Sequence, residues 1–120
     1  MPVRSLNSAV FKWPDREAVL AAARAWAGSL SLCDPSVRSV FCVGSCARGD
    51  WGVGSDLDVI VIVDDAELSP VERRRRYEPT HVPVPADVWV YTRSEWSALA
   101  GHSPHLARRL EGERLDLTLE

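Results

Sequence analysis

Val43-Gly44-Ser45-Cys46-Ala47-Arg48-Gly49, followed at a short interval by Ser55-Asp56-Leu57-Asp58-Val59, is the stretch on which the reading of this chain turns. Val37 to Val43 is apolar and β-branched enough for a buried strand, and Gly44 ends it. Ser45 to Arg48 then reads as the first turn of a short helix. Gly49-Asp50-Trp51-Gly52-Val53-Gly54 has the glycine density of an irregular loop. Leu57 to Val63 is the strongest strand pattern in the chain.

Upstream, Pro14 and a capping Asp15 predict an Ala-rich helix from Asp15 to about Leu30, and Cys33-Asp34-Pro35-Ser36 is a turn. Downstream, Asp64-Asp65 closes the strong strand, and Ser69-Pro70 opens a helix to about Arg76. Pro79, Pro83 and Pro85 delay the third strand to Ala86, from which it runs to Tyr91. Thr92-Arg93-Ser94-Glu95 has capping-box spacing before Trp96 and Leu99. Ser103-Pro104 opens a last helix through Leu110, and Leu115 to Leu119 suits a final strand. This order predicts an α/β (α+β) domain, a small mixed β-sheet flanked by helices.

A chain of 120 residues, 46% hydrophobic and 26% charged, is expected to be one globular domain over 1–120, with 1–13 a loose segment. The net charge of −3 gives no general basic field, so nucleic acid is not the expected partner. Three cysteines are too few for a disulfide framework, which makes the cytoplasm the default compartment. Val59 to Val63, the longest aliphatic run, is far short of the ~20 residues of a membrane span. Asp15, Arg16 and Glu17 interrupt any signal-peptide core.

Alternation along a strand points Asp56 and Asp58 the same way, about 6 to 7 Å apart. Two carboxylates so placed repel unless a cation lies between them, and a hard divalent ion with oxygen ligands is the natural occupant. The plain alternative is that both are solvated at a strand end. Gly44 allows close approach to the backbone, Ser45 offers a hydroxyl, and the N–H groups of a nascent helix favour an anion. Arg48, one turn on, suits either a phosphate or an internal carboxylate. Only residues 46–55 separate the two halves, so paired strands would set a phosphate beside a metal. Asp87, near the start of an otherwise apolar strand, is costly there unless paired, coordinated or facing solvent. Three carboxylates on neighbouring strands could chelate two ions and clamp the oxygens of an in-line phosphoryl displacement.

Together, Gly44-Ser45-Cys46-Ala47-Arg48-Gly49 and Ser55-Asp56-Leu57-Asp58-Val59 resemble the G-S-x-A-R-G and S-D-x-D signature of the nucleotidyltransferase superfamily related to DNA polymerase beta. The spacing fits its minimal (MNT-type) branch, and the likeness runs from about residue 37 to 117. It implies the nucleotidyltransferase fold, with Gly44, Ser45, Arg48 and Ser55 at the nucleotide and Asp56, Asp58 and Asp87 as catalytic, metal-binding carboxylates. It further implies two Mg²⁺ ions (Mn²⁺ being the alternative), ATP as the substrate, and AMP transfer to a hydroxyl. Asp87 would complete the second metal site and help to deprotonate that hydroxyl. At 120 residues the chain is expected to lack the second domain with which larger relatives hold the acceptor. Members of this branch often pair with a HEPN-domain toxin that they modify, which makes such a partner one expectation and a homodimer another. Transfer to a small molecule such as an aminoglycoside, and a non-catalytic nucleotide- or partner-binding module, are the alternatives.

Other features carry less. Arg73 to Arg76 would point round the whole circumference of a helix, so a solvated helix is the expectation. Trp51 is expected to cover the sheet edge rather than stack on a base. Cys42 and Cys46 are read as small apolar fillers. Trp89 and Tyr91 share a strand face with Asp87.

Overall fold

A computed structural model describes residues 13–64 and 67–118. The expectations for 1–12, for Asp65 and for Leu119 lie outside the described residues. In chain order the elements are α1 (Arg16–Cys33), β1 (Val37–Val43), α2 (Ser45–Arg48), β2 (Leu57–Val63), α3 (Pro70–Arg76), β3 (Ala86–Thr92), α4 (Arg93–His102), α5 (Pro104–Glu113) and β4 (Leu115–Asp116). The strands form one mixed sheet in the order β3-β2-β1-β4. β2 runs parallel to β3, and β1 is antiparallel to both β2 and β4.

Helix boundaries follow local chemistry. Asp15 caps α1 by accepting the Ala18 N–H at 2.8 Å. The helix runs three residues past the expected Leu30, because nothing before Asp34 disfavours it. Asp34 precedes Pro35 and is extended (φ −128°, ψ 100°), as the proline ring requires. Full capping boxes open α3 (Ser69 with Glu72) and α4 (Thr92 with Glu95). The third strand includes Thr92, which is both its last residue and the cap of α4. The final strand is shorter than expected, Leu115–Asp116, although the Leu117 N–H still reaches the Val40 carbonyl at 2.9 Å.

β2 is apolar on both faces because both are covered. Leu57, Val59, Val61 and Val63 pack with Val40, Cys42, Val88 and Val90 beneath Val19, Leu20, Ala23, Trp26 and Ala27 of α1. Ile60 and Ile62 point the other way and join Phe41, Val43 and Leu110, with Trp96 and Leu99 of α4 against them. Burying each of these aliphatic side chains contributes about 1.5–3 kcal/mol. Both cysteines beside the Gly44-Ser45 turn, Cys42 and Cys46, are fully buried among the α1-side residues.

The Arg73–Arg76 run corrects the expectation of a uniformly solvated helix. Arg73 is buried, with its guanidinium 2.6 Å from the Glu95 carboxylate and donating to the Leu68 carbonyl at 2.9 Å. It ties α3 to the cap of α4, while Arg74 and Arg75 stay exposed. Trp51 is half-buried, and its Nε1–H donates to the Pro14 carbonyl at 2.9 Å, fastening the glycine-rich loop to the start of α1. No helix among the described residues is long and apolar enough to cross a membrane.

Candidate active site

β2 is a central strand, and Asp58 stands near its start with a neighbour on each side. Its Cα partner on β1 is Val43, the residue before Gly44, and its partner on β3 is Asp87. Asp56 precedes the first strand residue, Leu57, rather than lying within the strand as alternation assumed. It nevertheless lines the same cavity as Asp58.

That cavity, about 560 Å³, has the size of a small-molecule site. Gly44, Ser45 and Arg48 line one side of it, Asp56 and Asp58 lie at the sheet, and Trp89, Tyr91 and Leu106 supply an apolar wall. Trp89 is 40% exposed, high for so large an apolar side chain.

Gly44 occupies a conformation that only glycine takes readily (φ 79°, ψ −155°). A Cβ there would stand 2.8 Å from Asp58 Oδ2. The chain thus leaves strand β1 with its backbone directly against the Asp58 carboxylate.

Asp58 ionises less readily than an ordinary aspartate. Burial is the first cause, the negative charges of Asp87 and Asp56 follow, and Arg48 opposes them. A half-buried carboxylate with other negative charges beside it is a donor that a hard cation relieves, so Asp58, with Asp56 lining the same cavity, fits such an ion. Asp87 is held apart: its Oδ1 lies 3.3 Å from Arg74 Nη2, an exposed pair that holds it only weakly. Among the described residues, no three acidic, His or Cys side chains converge tightly enough to hold an ion as they stand.

The structure therefore brings together Gly44, Ser45, Arg48, Asp56 and Asp58, with Asp87 beside Asp58 on the next strand. Ser55 stands outside the cavity lining: its hydroxyl accepts the Gly52 N–H at 3.1 Å, and its carbonyl accepts from Trp13 Nε1–H at 3.2 Å. Arg48 takes the second of its two readings, an internal pairing, with Asp50 at 3.2 Å and Glu113 at 3.4 Å.

Sequence reasoning missed Glu113 and Arg109, which also line the cavity. Both belong to the part of α5 at or near its end, and Glu113 lies beyond the expected terminus at Leu110. The helix continues through Gly112, at a propensity cost of about 1 kcal/mol, to a Glu113 carboxylate anchored on the Gly44 N–H at 3.0 Å. The one available signal was the i, i+4 spacing of Arg109 and Glu113.

Residues 29–116 match the family model of the nucleotidyltransferase domain. A solved structure from Sulfolobus solfataricus, named as a candidate nucleotidyltransferase, superposes with a TM-score of 0.57 at 22% identity, over 69% of this chain and 75% of that one. A toxin–antitoxin structure with AMP-PNP gives a TM-score of 0.47 at 16% identity, over 87% of this chain and 73% of that one. No curated protein matches the chain.

Proposed function

The chain belongs to the nucleotidyltransferase domain family, and from that premise we propose that it transfers AMP from ATP to a hydroxyl group, releasing pyrophosphate. The observation that carries this reading is the joining, in one cavity, of the Gly44-Ser45 turn with the Asp56–Asp58 pair.

In this reading the Gly44-Ser45 turn and Arg48 receive the triphosphate, where backbone N–H, hydroxyl and guanidinium are all donors. Asp56 and Asp58, with Asp87 from the next strand, would hold Mg²⁺, which when bound offsets the charge that builds on the departing pyrophosphate. Asp87 leaves Arg74 and accepts the proton of the attacking hydroxyl, whose oxygen forms a bond to the α-phosphorus as the bond to pyrophosphate breaks. Trp89 and Tyr91, on the same strand face, give base or acceptor an apolar surface beside the reacting groups. The acceptor proposed is a hydroxyl on a partner protein, of the HEPN type that the sequence resemblance implies, in a cytoplasmic setting.

The test is titration of ATP with Mg²⁺ into the wild type and Asp58→Asn, followed by incubation with α-phosphate-labelled ATP and the product of a neighbouring gene. Metal-dependent binding that Asp58→Asn weakens at least about 10-fold, with label on the partner's hydroxyl, is the expected result. Binding without any transfer would make the protein a nucleotide-binding module. Label on an aminoglycoside instead would make the acceptor a small molecule.

A further inference from the structure

Glu113 closes α5, and its side chain is only 14% exposed although it faces a cavity. Its two oxygens are used separately. Oε1 accepts the Gly44 N–H at 3.0 Å, and Oε2 lies 3.4 Å from Arg48 Nη1 and 3.7 Å from Arg109 Nε. A backbone donor and two guanidiniums, from the β1–α2 turn, α2 and α5, thus converge on one anion. Two of those donors, Gly44 and Arg48, are ones that the proposed function assigns to the triphosphate.

The same carboxylate lies in the field of the site's other acidic groups, and its charge adds to those opposing ionisation of Asp58. It therefore gains from the donors on one side and loses to the carboxylates on the other. A polyphosphate brings more oxygens and more charge to the same donors than one carboxylate does.

We propose that Glu113 is an internal occupant of the phosphate site, which the polyphosphate of the nucleotide displaces on binding, so that Glu113 sets the affinity for nucleotide. The inference rests on the reading of the Gly44-Ser45 turn as the triphosphate site. Displacement hands Gly44 N–H and Arg48 to the ligand and frees the final turn of α5, where Gly112 leaves open space around the backbone.

Inorganic tripolyphosphate, titrated without Mg²⁺ into the wild type and Glu113→Gln, isolates the donors from the metal. The glutamine variant removes the competing charge and is expected to bind tripolyphosphate, and then ATP, about 10-fold more tightly, although its ligand-free melting temperature falls. In the wild type, the side-chain carboxyl carbon resonance of Glu113 shifts as tripolyphosphate is added, a readout that needs no variant to fold. Equal or weaker binding by Glu113→Gln, or a Glu113 resonance that stays fixed while ligand binds, overturns the proposal, because Glu113 then only supports the turn. If ATP still binds the wild type through Asp58 in that case, the proposed function survives it. If neither ATP nor tripolyphosphate binds either protein, the phosphate site itself is wrong and both readings fall.

Discussion

The Tyr77 hydroxyl donates to Asp34 Oδ2 at 2.6 Å, joining the end of α3 to the turn after α1 across 43 positions of sequence. Tyr77 is 5% exposed, so the bond ties a buried ring to a charged acceptor. That bond, followed by the Ser36 hydroxyl, holds the Asp34 carboxyl below its ordinary value of 3.8. A depressed folded-state pKa contributes stability that is fully present above the ordinary value and is lost as pH falls through the folded one. Tyr77→Phe is expected to cost about 1.5–3 kcal/mol at pH 7, and urea unfolding at pH 7 and near pH 3 should show that difference shrinking in acid. A difference that stays constant with pH would remove Asp34 from the account.

Gly44→Ala meets two penalties, a positive φ and a Cβ 2.8 Å from the Asp58 carboxylate. Gly49→Ala meets only the first, since its φ is 90° and nothing stands near its Cβ. The second variant should lose about 1–2 kcal/mol and keep its ligand binding. The first should lose more, and its affinity for ATP with Mg²⁺ should fall at least about 10-fold. Circular dichroism melts and calorimetry on both variants separate the two effects, and equal losses in the pair would show that the contact with Asp58 costs nothing.

Asp58→Asn should raise the melting temperature of the metal-free protein, because the asparagine removes a half-buried charge that burial, Asp87 and Asp56 all disfavour. The order should reverse with Mg²⁺ and ATP present, when only the wild type gains from ligand. Melts with and without both ligands test this. A variant less stable than the wild type in both conditions would mean that the carboxylate is needed for the fold.

Glu95 accepts two hydrogen bonds through one oxygen, from the Thr92 N–H at 2.9 Å and from Arg73 Nη1 at 2.6 Å. Glu95→Ala removes half of a capping box and leaves the buried Arg73 guanidinium without its carboxylate, so a loss of about 2–3 kcal/mol is expected. Thr92→Ala removes the cap hydroxyl alone and should cost about 1 kcal/mol. Denaturant unfolding of the two variants gives the comparison.

Much of this was legible in local patterns. The bounds of β1, β2 and α3 were readable because apolar β-branched runs, a glycine stop and a Ser-Pro start each act within a few residues. The elements that were misjudged depend on distant partners. α5 outlasts Leu110 because Glu113 finds Gly44, 69 positions away. Arg73 is buried because the Glu95 carboxylate and the Val90 carbonyl await it, neither visible from a run of four like residues. Ser55 entered the nucleotide set through the family resemblance, and its hydroxyl here accepts the N–H of Gly52, three residues away.

The pairing of Asp58 with Val43 on one side and Asp87 on the other makes the candidate site sensitive to strand alignment. A slip of β2 by a single residue would exchange its two faces, carrying Asp58 under α1 and sending Leu57 and Val59 into the cavity. Misaligned chains would then lose the carboxylate cluster and the burial of the strongest strand together. If the proposed nucleotide binding holds, it is in that sense also an assay of the sheet: a molecule that captured nucleotide would have its strands in step.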